Sequence, residues 1–374
     1  MRHLKLFFSV GEESADLHAS RLCAELKKRD AEIELFGFGG EKLQAEGVEI
    51  LYPLPELALV GFVEVLKHLP AIFRLQSLAR RAWEERKPDA VVLVDYPGFN
   101  LRLAKAAHER GIPVLYYIAP QAWAWKEGRT ETMRRIVRRL MVIFPFEEPF
   151  FRKRGVETCY VGHPLLERIA PPNEKETHLN APLIGLLPGS RKNELRHLLP
   201  VMLKAAALLR ERLPQARFRL FLADGLPVNL LHSFSLPHFV DVVRDKNYER
   251  RRELDFAWTG SGTATVENAL LGIPMAVLFR SHPINVFLGR RLVRIPYIGM
   301  VNLIAQKGVC PEFIQEQCQP ETLARYAEEL LSSPERYFEM IEDLKKMRAR
   351  MGEASASKRA AEEIFAALSC EEQS

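Results

Sequence analysis

Short apolar runs alternate with amphipathic helical stretches along most of this chain, and this alternation constrains the fold more than any other feature. In the first part of the chain the predicted strands cover residues 4–10, 33–38, 90–94, 114–118, 140–144 and 159–161. Helical spacing of apolar residues predicts helices over residues 14–28, 71–85, 101–110 and 147–154. Strands that alternate with helices predict a parallel sheet with helices on both faces.

The alternation begins again after a polar segment at residues 170–182. This segment contains Pro171-Pro172 and several charges, which is typical of an interdomain linker. Predicted strands then cover residues 183–187, 217–223, 239–243, 254–258 and 275–279, with a long helix over 194–213. A chain of 374 residues also exceeds what one compact core usually supports.

We therefore predict an α/β fold of two Rossmann-like parallel-sheet domains that face a cleft, followed by C-terminal helices. The first domain is expected at residues 1–168, the linker at 169–182, the second domain at 183–335 and the C-terminal helices at 336–374. These helices can pack on the first domain of the same chain or on that of a partner, and both options stay open. Ligands of such sheets bind at the carboxyl ends of the strands, where the motifs GEES, DYPGFN and PQAWAW fall.

Composition and charge limit the ligand only broadly. The formal net charge of +5 is too small to indicate nucleic acid, and it suits phosphate groups or an anionic membrane surface equally well. The sequence contains no run of about 18 apolar residues, so we predict no transmembrane helix. We expect neither a metal site nor disulfides but reduced thiols in a cytoplasmic protein, because no CxxC spacing occurs among Cys23, Cys159, Cys310, Cys318 and Cys370.

The stretch TGSGTATVENALLGIP, at residues 259–274, combines a glycine-rich turn with the start of a predicted helix. At Ser261, Gly262 and Thr263 backbone N–H groups can approach an anion closely, and the helix N-terminus adds a partial positive charge. This suits a diphosphate. Glu267 follows Thr263 by four residues, so both lie on one helix face and the carboxylate can reach a ribose hydroxyl. The alternative is an ordinary loop with a Ser or Thr N-cap and a Gly C-cap.

A second turn also follows a predicted strand and precedes a helix, and it consists of Pro188, Gly189, Ser190 and Arg191. Its amides and the guanidinium of Arg191 can bind a phosphate group. The turn lacks the GKS or GKT ending of a P-loop, and no GxGxxG follows the first strand, which disfavours a nucleoside triphosphatase or a nicotinamide enzyme. The alternative for Arg191 is a surface arginine at a helix start.

Asp95 follows directly after an apolar strand, and core packing does not account for a carboxylate at such a position. A partly desolvated carboxylate there has a raised pKa and can act as a general base toward a hydroxyl. Capping of the next helix is the alternative. Glu12, Ser14 and Asp16, at the first strand–helix turn, allow two interpretations as well: N-cap chemistry or binding of an acceptor.

Residues 56–75 are richly apolar but are interrupted by charges and a proline. Their length and charges exclude a membrane span and allow an interfacial or acyl-chain-binding surface. The candidates for that surface are Leu59, Val60, Phe62, Val63, Leu66, Leu69 and Phe73. A helix that faces the core is the alternative.

Together, these motifs resemble those of one family. The motifs of this chain occur in the same order as in lipid-A-disaccharide synthases. They are VGEESADLHA, ELALVGFVEVL, DYPGFN, YYIAPQAWAW, FPFE, VGHP, LLPGSR, SGTATVE and MVNLIA. The resemblance covers most of the chain and implies an inverting, metal-independent glycosyltransferase of the two-Rossmann GT-B architecture that needs no cofactor. Such an enzyme joins UDP-2,3-diacylglucosamine to 2,3-diacylglucosamine 1-phosphate, releasing UDP and forming the β-1,6-linked disaccharide 1-phosphate of lipid A biosynthesis.

The resemblance also implies roles for single residues. Asp95 matches the general base, while Arg191 and Glu267 match the UDP side. Asn302 in VNLIA matches a residue important for activity. Residues 56–75 match a surface for peripheral association with the cytoplasmic face of the inner membrane, and a homodimer is compatible with the family pattern. The sequence departs from that pattern at Ala15, where glycine is usual, and at Val301, where proline is usual.

Other functions stay open at this stage. Another UDP-sugar glycosyltransferase, or a UDP-sugar 2-epimerase of the same fold, would share the second-domain turns, and an epimerase would need no acceptor. A non-catalytic glycolipid-binding protein is the alternative from another class, which the presence of both Asp95 and Glu267 disfavours.

Overall fold

The computed structural model of the chain describes residues 3–53, 69–124, 127–172, 179–281 and 295–369, and for Leu69 and Pro70 the backbone only. The chain divides into two compact units. One consists of Met1–Glu167 together with Glu353–Ser374, and the other is Arg168–Gly352. The linker predicted at residues 169–182 thus begins next to the change of unit.

The first unit is built on a seven-stranded parallel sheet. Its strands are β1 (Lys5–Val10), β2 (Glu34–Gly39), β3 (Glu49–Pro53), β4 (Ala90–Val94), β5 (Val114–Tyr117), β6 (Arg139–Val142) and β7 (Thr158–Tyr160). The order across the sheet is β3-β2-β1-β4-β5-β6-β7, so the direction of winding reverses between β1 and β4. In doubly wound folds the crevice at such a reversal binds the ligand.

Helices connect these strands and cover the sheet. They are α1 (Glu13–Arg29), α2 (Glu41–Ala45), α3 (Leu69–Arg86), α4 (Pro97–His108), α5 (Arg129–Ile136) and α6 (Glu147–Arg152). In the core between sheet and helices, the Phe7 ring makes edge contacts with Phe38 and Trp83, at centroid distances of 5.2 and 5.5 Å. All five residues of β4 are apolar and buried, which explains why the sequence predicts this strand so clearly.

The second unit contains a six-stranded parallel sheet. Its strands are β8 (Leu183–Leu187), β9 (Arg217–Phe221), β10 (Val240–Val243), β11 (Phe256–Gly260), β12 (Met275–Phe279) and β13 (Glu312–Ile314). The order is β10-β9-β8-β11-β12-β13, with the reversal between β8 and β11. Two Rossmann-like parallel sheets are therefore present, which confirms the predicted fold class.

The helices of the second unit are α7 (Lys192–Arg212), α8 (Glu249–Arg252), α9 (Thr263–Leu270), α10 (Met300–Ala305), α11 (Pro320–Leu331) and α12 (Pro334–Arg350). Helix α12 packs against α9, α10 and α11, so it belongs to this unit. The C-terminal helices were expected to start at residue 336, but this position falls inside α12. The structure places the change of unit later, at Glu353.

The last helix, α13 (Ala356–Ser369), packs on α1 and β6 of the first unit of the same chain. Its N-terminus is capped by Glu167, whose carboxylate accepts hydrogen bonds from the Ser357 amide at 2.7 Å and the Ser357 hydroxyl at 2.8 Å. A carboxylate at this position also interacts favourably with the helix dipole. The first unit is thus completed by the C-terminal end of the chain.

Candidate active site

The carboxyl ends of β1 and β4 lie side by side in the first unit, because their register pairs Val10 with Val94. The GEES turn leaves β1 at this edge and the DYPGFN turn leaves β4. The edge is also the point where the strand order reverses. Glu12 and Asp95 are therefore brought to one place on the sheet.

The backbone is left-handed at both Asp95 and Tyr96, with φ angles of 49° and 48°. Residues with large side chains avoid this region, and each one held there costs about 1–3 kcal/mol. Two donors hold the turn: Asn100 Nδ2 donates to the Asp95 carbonyl oxygen at 2.8 Å, and the Tyr116 hydroxyl donates to the same oxygen at 2.7 Å. Backbone strain of this kind persists at functional sites when the surrounding structure fixes it.

Asn100 also ties this turn to β1. Its side chain is fully buried, and its Oδ1 accepts a hydrogen bond from the Ser9 hydroxyl at 2.7 Å. Gly11 leaves the space that the Tyr96 ring occupies, since a Cβ at residue 11 would lie 2.2 Å from a ring carbon. The two turns are therefore packed together, and a side chain at residue 11 would separate them.

Asp95 has the electrostatics of a general base. Burial of its carboxyl group, followed by the charge of Glu12, raises the pKa of Asp95 to about 6. A carboxylate with this pKa is ionised at neutral pH and accepts a proton more readily than an ordinary aspartate. Helix α4 begins after Tyr96 without a side-chain cap, so the alternative of helix capping gains no support.

Glu147 is a buried carboxyl group close enough to Asp95 to be affected by its charge, and the sequence did not single it out. Its Oε1 accepts a hydrogen bond from Trp123 Nε1 at 2.9 Å, and its Oε2 accepts one from the Phe144 amide at 3.0 Å. Burial raises the pKa of Glu147 to about 7, and the charge of Asp95 adds to the shift. Glu147 thus joins the PQAWAW and FPFE motifs at the same edge of the sheet.

The three predicted acceptor-side residues have different surroundings. Glu12 and Ser14 are exposed at the start of α1. Asp16 is buried, and its carboxylate accepts hydrogen bonds from the amides of Gly40 at 2.8 Å and Lys42 at 3.1 Å. Asp16 therefore supports the turn after β2, while Glu12 and Ser14 keep groups that an acceptor can contact.

In the second unit the carboxyl ends of β8 and β11 lie side by side, again where the strand order reverses. The PGSR turn follows β8 and the SGT turn follows β11. The two turns approach closely, since a Cβ at Gly260 would lie 3.1 Å from the carbonyl oxygen of Pro188. The two predicted diphosphate-binding turns are therefore neighbours.

The PGSR turn already binds a carboxylate, that of Glu194. The Oε2 atom of Glu194 accepts hydrogen bonds from the amides of Ser190 at 3.0 Å and Arg191 at 3.1 Å, and its Oε1 accepts one from the Arg191 guanidinium at 3.0 Å. Gly189 is left-handed, with φ of 118°, and has no Cβ to block this carboxylate. The turn therefore has the donor geometry of an anion site.

The SGT turn leads directly into α9. Gly262 occupies the N-cap position and offers no side-chain cap, so the Ser or Thr N-cap of the alternative interpretation is not formed. Ser261, Gly262 and Thr263 are at least partly exposed. The first amides of α9 thus remain accessible to an anion.

Glu267 lies one turn further along α9. Its Oε1 accepts a hydrogen bond from the Tyr248 hydroxyl at 2.9 Å, and its Oε2 accepts one from Arg251 Nη1 at 2.6 Å. Both partners come from the segment around α8, which the sequence did not connect with this site. Their place beside Glu267 depends on the packing of the second unit.

Asn302 is fully buried in the first turn of α10. Its Nδ2 donates to the Cys310 carbonyl oxygen at 2.7 Å and to Glu312 Oε1 at 2.8 Å, while its Oδ1 accepts from the Cys310 amide at 2.9 Å. Both amide hydrogens are used by the protein. This geometry gives Asn302 a supporting place, so an effect on activity would act through the backbone around residues 298–312.

Comparison with known proteins decides the family. The lipid-A-disaccharide synthetase family matches residues 6–367 of the chain. The lipid-A-disaccharide synthase of Geobacter metallireducens is 38% identical over 370 residues, which are 96% of this chain and 95% of that protein. The enzyme of Syntrophus aciditrophicus is 39% identical over 362 residues, 94% of each chain. This chain belongs to the lipid-A-disaccharide synthase family.

Solved structures of low sequence identity share the fold of this lipid-A-disaccharide synthase family member. A calicheamicin glycosyltransferase has a TM-score of 0.63, with 16% identity and 99% of each chain covered. A UDP-GlcNAc 2-epimerase from Methanocaldococcus jannaschii also has a TM-score of 0.63, with 14% identity, 97% of this chain and 99% of that one covered. The chain thus has the GT-B architecture, and its family makes it a glycosyltransferase of lipid A biosynthesis.

Most of the predicted membrane-facing residues, Leu59, Val60, Phe62, Val63 and Leu66, lie outside the described residues. Leu69 begins α3, and Phe73 on the same helix is 60% exposed. Within the described ranges, no helix is long and apolar enough to cross a membrane. The same part of the chain contains no cluster of three or more His, Cys, Asp or Glu residues that could hold a metal ion.

Proposed function

We propose that this family member transfers a diacylglucosaminyl group from UDP-2,3-diacylglucosamine to the 6-hydroxyl of 2,3-diacylglucosamine 1-phosphate. The products are the β-1,6-linked disaccharide 1-phosphate and UDP. The observation that carries the proposal is the Asp95 carboxyl group, which is partly buried beside Glu12 on a strained turn and has a pKa raised to about 6.

In this reaction Asp95 takes the proton of the acceptor 6-hydroxyl as that oxygen attacks the anomeric carbon. The bond from the anomeric carbon to the UDP oxygen breaks on the opposite face, so the configuration inverts and UDP leaves with the electron pair. Only a base that is ionised before attack can accept the proton. With a pKa of about 6, Asp95 is still mostly ionised at neutral pH, and the raised pKa makes it a stronger base than an ordinary aspartate. Glu12, whose charge acts on Asp95, and Ser14, two residues further along, are exposed and are the proposed acceptor contacts.

The proposed diphosphate site consists of the turns at residues 188–191 and 261–263. The PGSR turn already holds a carboxylate through two amides and a guanidinium, which supports anion binding there. Charge-assisted hydrogen bonds from these groups and from the start of α9 would stabilise the charge that develops on UDP. With these donors we expect no divalent metal and no cofactor to be needed, so transfer should survive EDTA.

The experiment is mass spectrometry of the products after the protein is mixed with both lipid substrates. The disaccharide 1-phosphate is expected, and its formation should be abolished in Asp95→Asn while that variant still binds UDP. An Asp95→Asn variant with near-normal turnover would remove Asp95 from the role of base. A UDP-sugar converted without acceptor would instead identify an epimerase.

We further propose peripheral association with the cytoplasmic face of the inner membrane. The apolar composition of residues 56–75 and the exposed ring of Phe73 support this assignment. Phe73→Ser should weaken co-sedimentation with vesicles of anionic phospholipid, and unchanged binding would contradict the assignment. The homodimer stays a prediction, which sedimentation velocity of the full chain can check.

A further inference from the structure

The Glu267 carboxylate is held on two sides by side chains that no sequence motif connects with nucleotide binding. The Tyr248 hydroxyl donates to one oxygen and the Arg251 guanidinium to the other. We propose that Tyr248 and Arg251 are positioning residues that aim Glu267 at the ribose hydroxyls of UDP and thereby set the preference for ribonucleotide over 2′-deoxynucleotide. This inference rests on the proposed assignment of Glu267 to the ribose.

The Glu267 carboxylate has hydrogen-bond acceptor positions left for a ligand. An ionised carboxylate offers about four acceptor positions on its two oxygens. Tyr248 and Arg251 use one position on each oxygen, so one position on each remains for the two adjacent hydroxyls of a ribose. Thr263 lies one helical turn before Glu267, at the turn proposed to bind the diphosphate. A ribose attached to that diphosphate is therefore within reach.

Packing fixes the two donors before any ligand arrives. The Arg251 side chain is only 12% exposed, and its guanidinium lies over the rings of Tyr248 at 5.3 Å and Phe221 at 5.5 Å. The Arg251 amide donates to Asp245 Oδ2 at 2.8 Å, which anchors α8 to the loop after β10. Tyr248 itself is buried and has a left-handed backbone, with φ of 63°.

The protonation states suit this arrangement. Burial and the neighbouring charge of Glu267 raise the pKa of Tyr248, so its hydroxyl stays protonated and remains a donor. Arg251 also neutralises the Glu267 charge, which would otherwise repel the nearby diphosphate. The two residues therefore act differently. Loss of Arg251 changes both the local charge and the orientation of the Glu267 carboxylate, whereas loss of the Tyr248 hydroxyl changes its orientation alone.

The test compares the dissociation constants of UDP and 2′-deoxy-UDP, measured by isothermal titration calorimetry. The wild-type protein should bind UDP about tenfold more tightly, as expected for a hydrogen bond to a charged group. In Tyr248→Phe and Arg251→Met this ratio should fall to within about twofold, as in Glu267→Gln, which removes one of the acceptor oxygens. Arg251→Met should also weaken UDP binding itself.

Arg250→Met is the matched control, because Arg250 lies on the same short helix and is 61% exposed, with a surface ion pair to Glu253 at 3.9 Å. It should keep the wild-type ratio. Tyr248→Phe keeps the ring packing, so its ratio decides the question even if Arg251→Met fails to fold.

Three results would overturn the inference. A wild-type ratio retained in Tyr248→Phe and Arg251→Met would reduce both residues to structural roles. A ratio of one in the wild type would remove Glu267 from the ribose, while disaccharide formation would still support the proposed transfer. Absence of UDP binding by the wild type would contradict the inference and the proposed donor site together.

Discussion

The Tyr116 hydroxyl donates a hydrogen bond to the carbonyl oxygen of Asp95 at 2.7 Å, across the pair of neighbouring strands β5 and β4. This bond acts on the backbone of the proposed base, in a turn where both Asp95 and Tyr96 have positive φ. Burial and the charge of Asp95 raise the pKa of Tyr116, so the phenol remains a donor. Tyr116 thus holds the backbone of the proposed base in place without needing to contact a substrate.

Replacing Tyr116 with Phe should therefore lower kcat more than it lowers stability. Loss of one buried hydrogen bond costs about 1 kcal/mol of unfolding free energy. We expect kcat to fall about tenfold, because the Asp95 carboxyl group would no longer be held at one position. Chemical denaturation and steady-state transfer assays measure the two quantities separately.

Tyr117→Phe is the control for this variant. Successive residues of a strand point to opposite faces of the sheet. The charges that act on the pKa of Tyr117 are those of Glu167 and Arg21, and Asp95 is not among them. Its kcat should match the wild type. If both variants lost activity equally, the Tyr116–Asp95 bond would not be the cause.

The fold was predictable where burial is complete. The strands at Ala90–Val94, Leu183–Leu187 and Met275–Phe279 have the predicted bounds, because each is a continuous apolar run between parallel neighbours. The edge strand Glu49–Pro53 escaped prediction, since it is only partly buried and its apolar run is just three residues long, between Glu49 and Pro53. An edge strand that forms mainly because it pairs with a neighbouring strand has only a weak pattern in its own sequence.

The candidate site was predictable only for residues that motifs carry. The sequence singled out Asp95, Arg191 and Glu267 because they follow strands or glycine-rich turns, and their roles stay predictions. It did not single out Tyr116 or Arg251, because their contacts cross between elements that the packing brings together. The burial of Asn302 could not be predicted either, because its motif does not indicate that both of its amide hydrogens are donated to other groups of the protein.

The pH dependence of transfer should report the ionisation of Asp95. The base must be ionised before attack, so kcat/KM should rise with pH through about 6 and then level off. Glu12→Gln removes a negative charge that raises the pKa of Asp95, and the rise should therefore move to lower pH. The pH profile of kcat/KM measures this shift independently of any loss in acceptor affinity.

Glu13→Gln is the matched control, because Glu13 is also exposed on the first turn of α1 but is not among the groups that shift the pKa of Asp95. Its profile should coincide with that of the wild type. A profile unchanged in Glu12→Gln would show that Asp95 is not the titrating group or is not influenced by Glu12.

Glu194 occupies donors that the diphosphate is proposed to use, so the two anions should compete. Glu194→Gln removes the charge but keeps a side chain that completes the capping box of α7. We expect the variant to bind UDP about fivefold more tightly, a gain of about 1 kcal/mol. Calorimetry measures the affinity, and thermal unfolding checks that the helix start is preserved.

The opposite result has a distinct meaning. If Glu194 instead serves to orient Arg191 for the diphosphate, Glu194→Gln should weaken UDP binding. The Arg191 side chain is 77% exposed, however, which indicates that Glu194 holds it only loosely. Glu211→Gln, an exposed position on the same helix, should leave UDP affinity unchanged.

Glu147 should make the stability of the protein depend on pH. Burial raises its pKa from the ordinary 4.5 to about 7, so between these values the folded state holds a proton that the unfolded state has lost. The free energy of unfolding should therefore fall as pH rises from about 4.5 to 7, by on the order of 3 kcal/mol, and stay level above. Glu147→Gln cannot ionise and should lack this part of the slope in urea unfolding measured across that range. Glu148→Gln, the partly exposed neighbour that pairs with Arg152, should keep it, and equal slopes in all three proteins would assign the buried proton elsewhere.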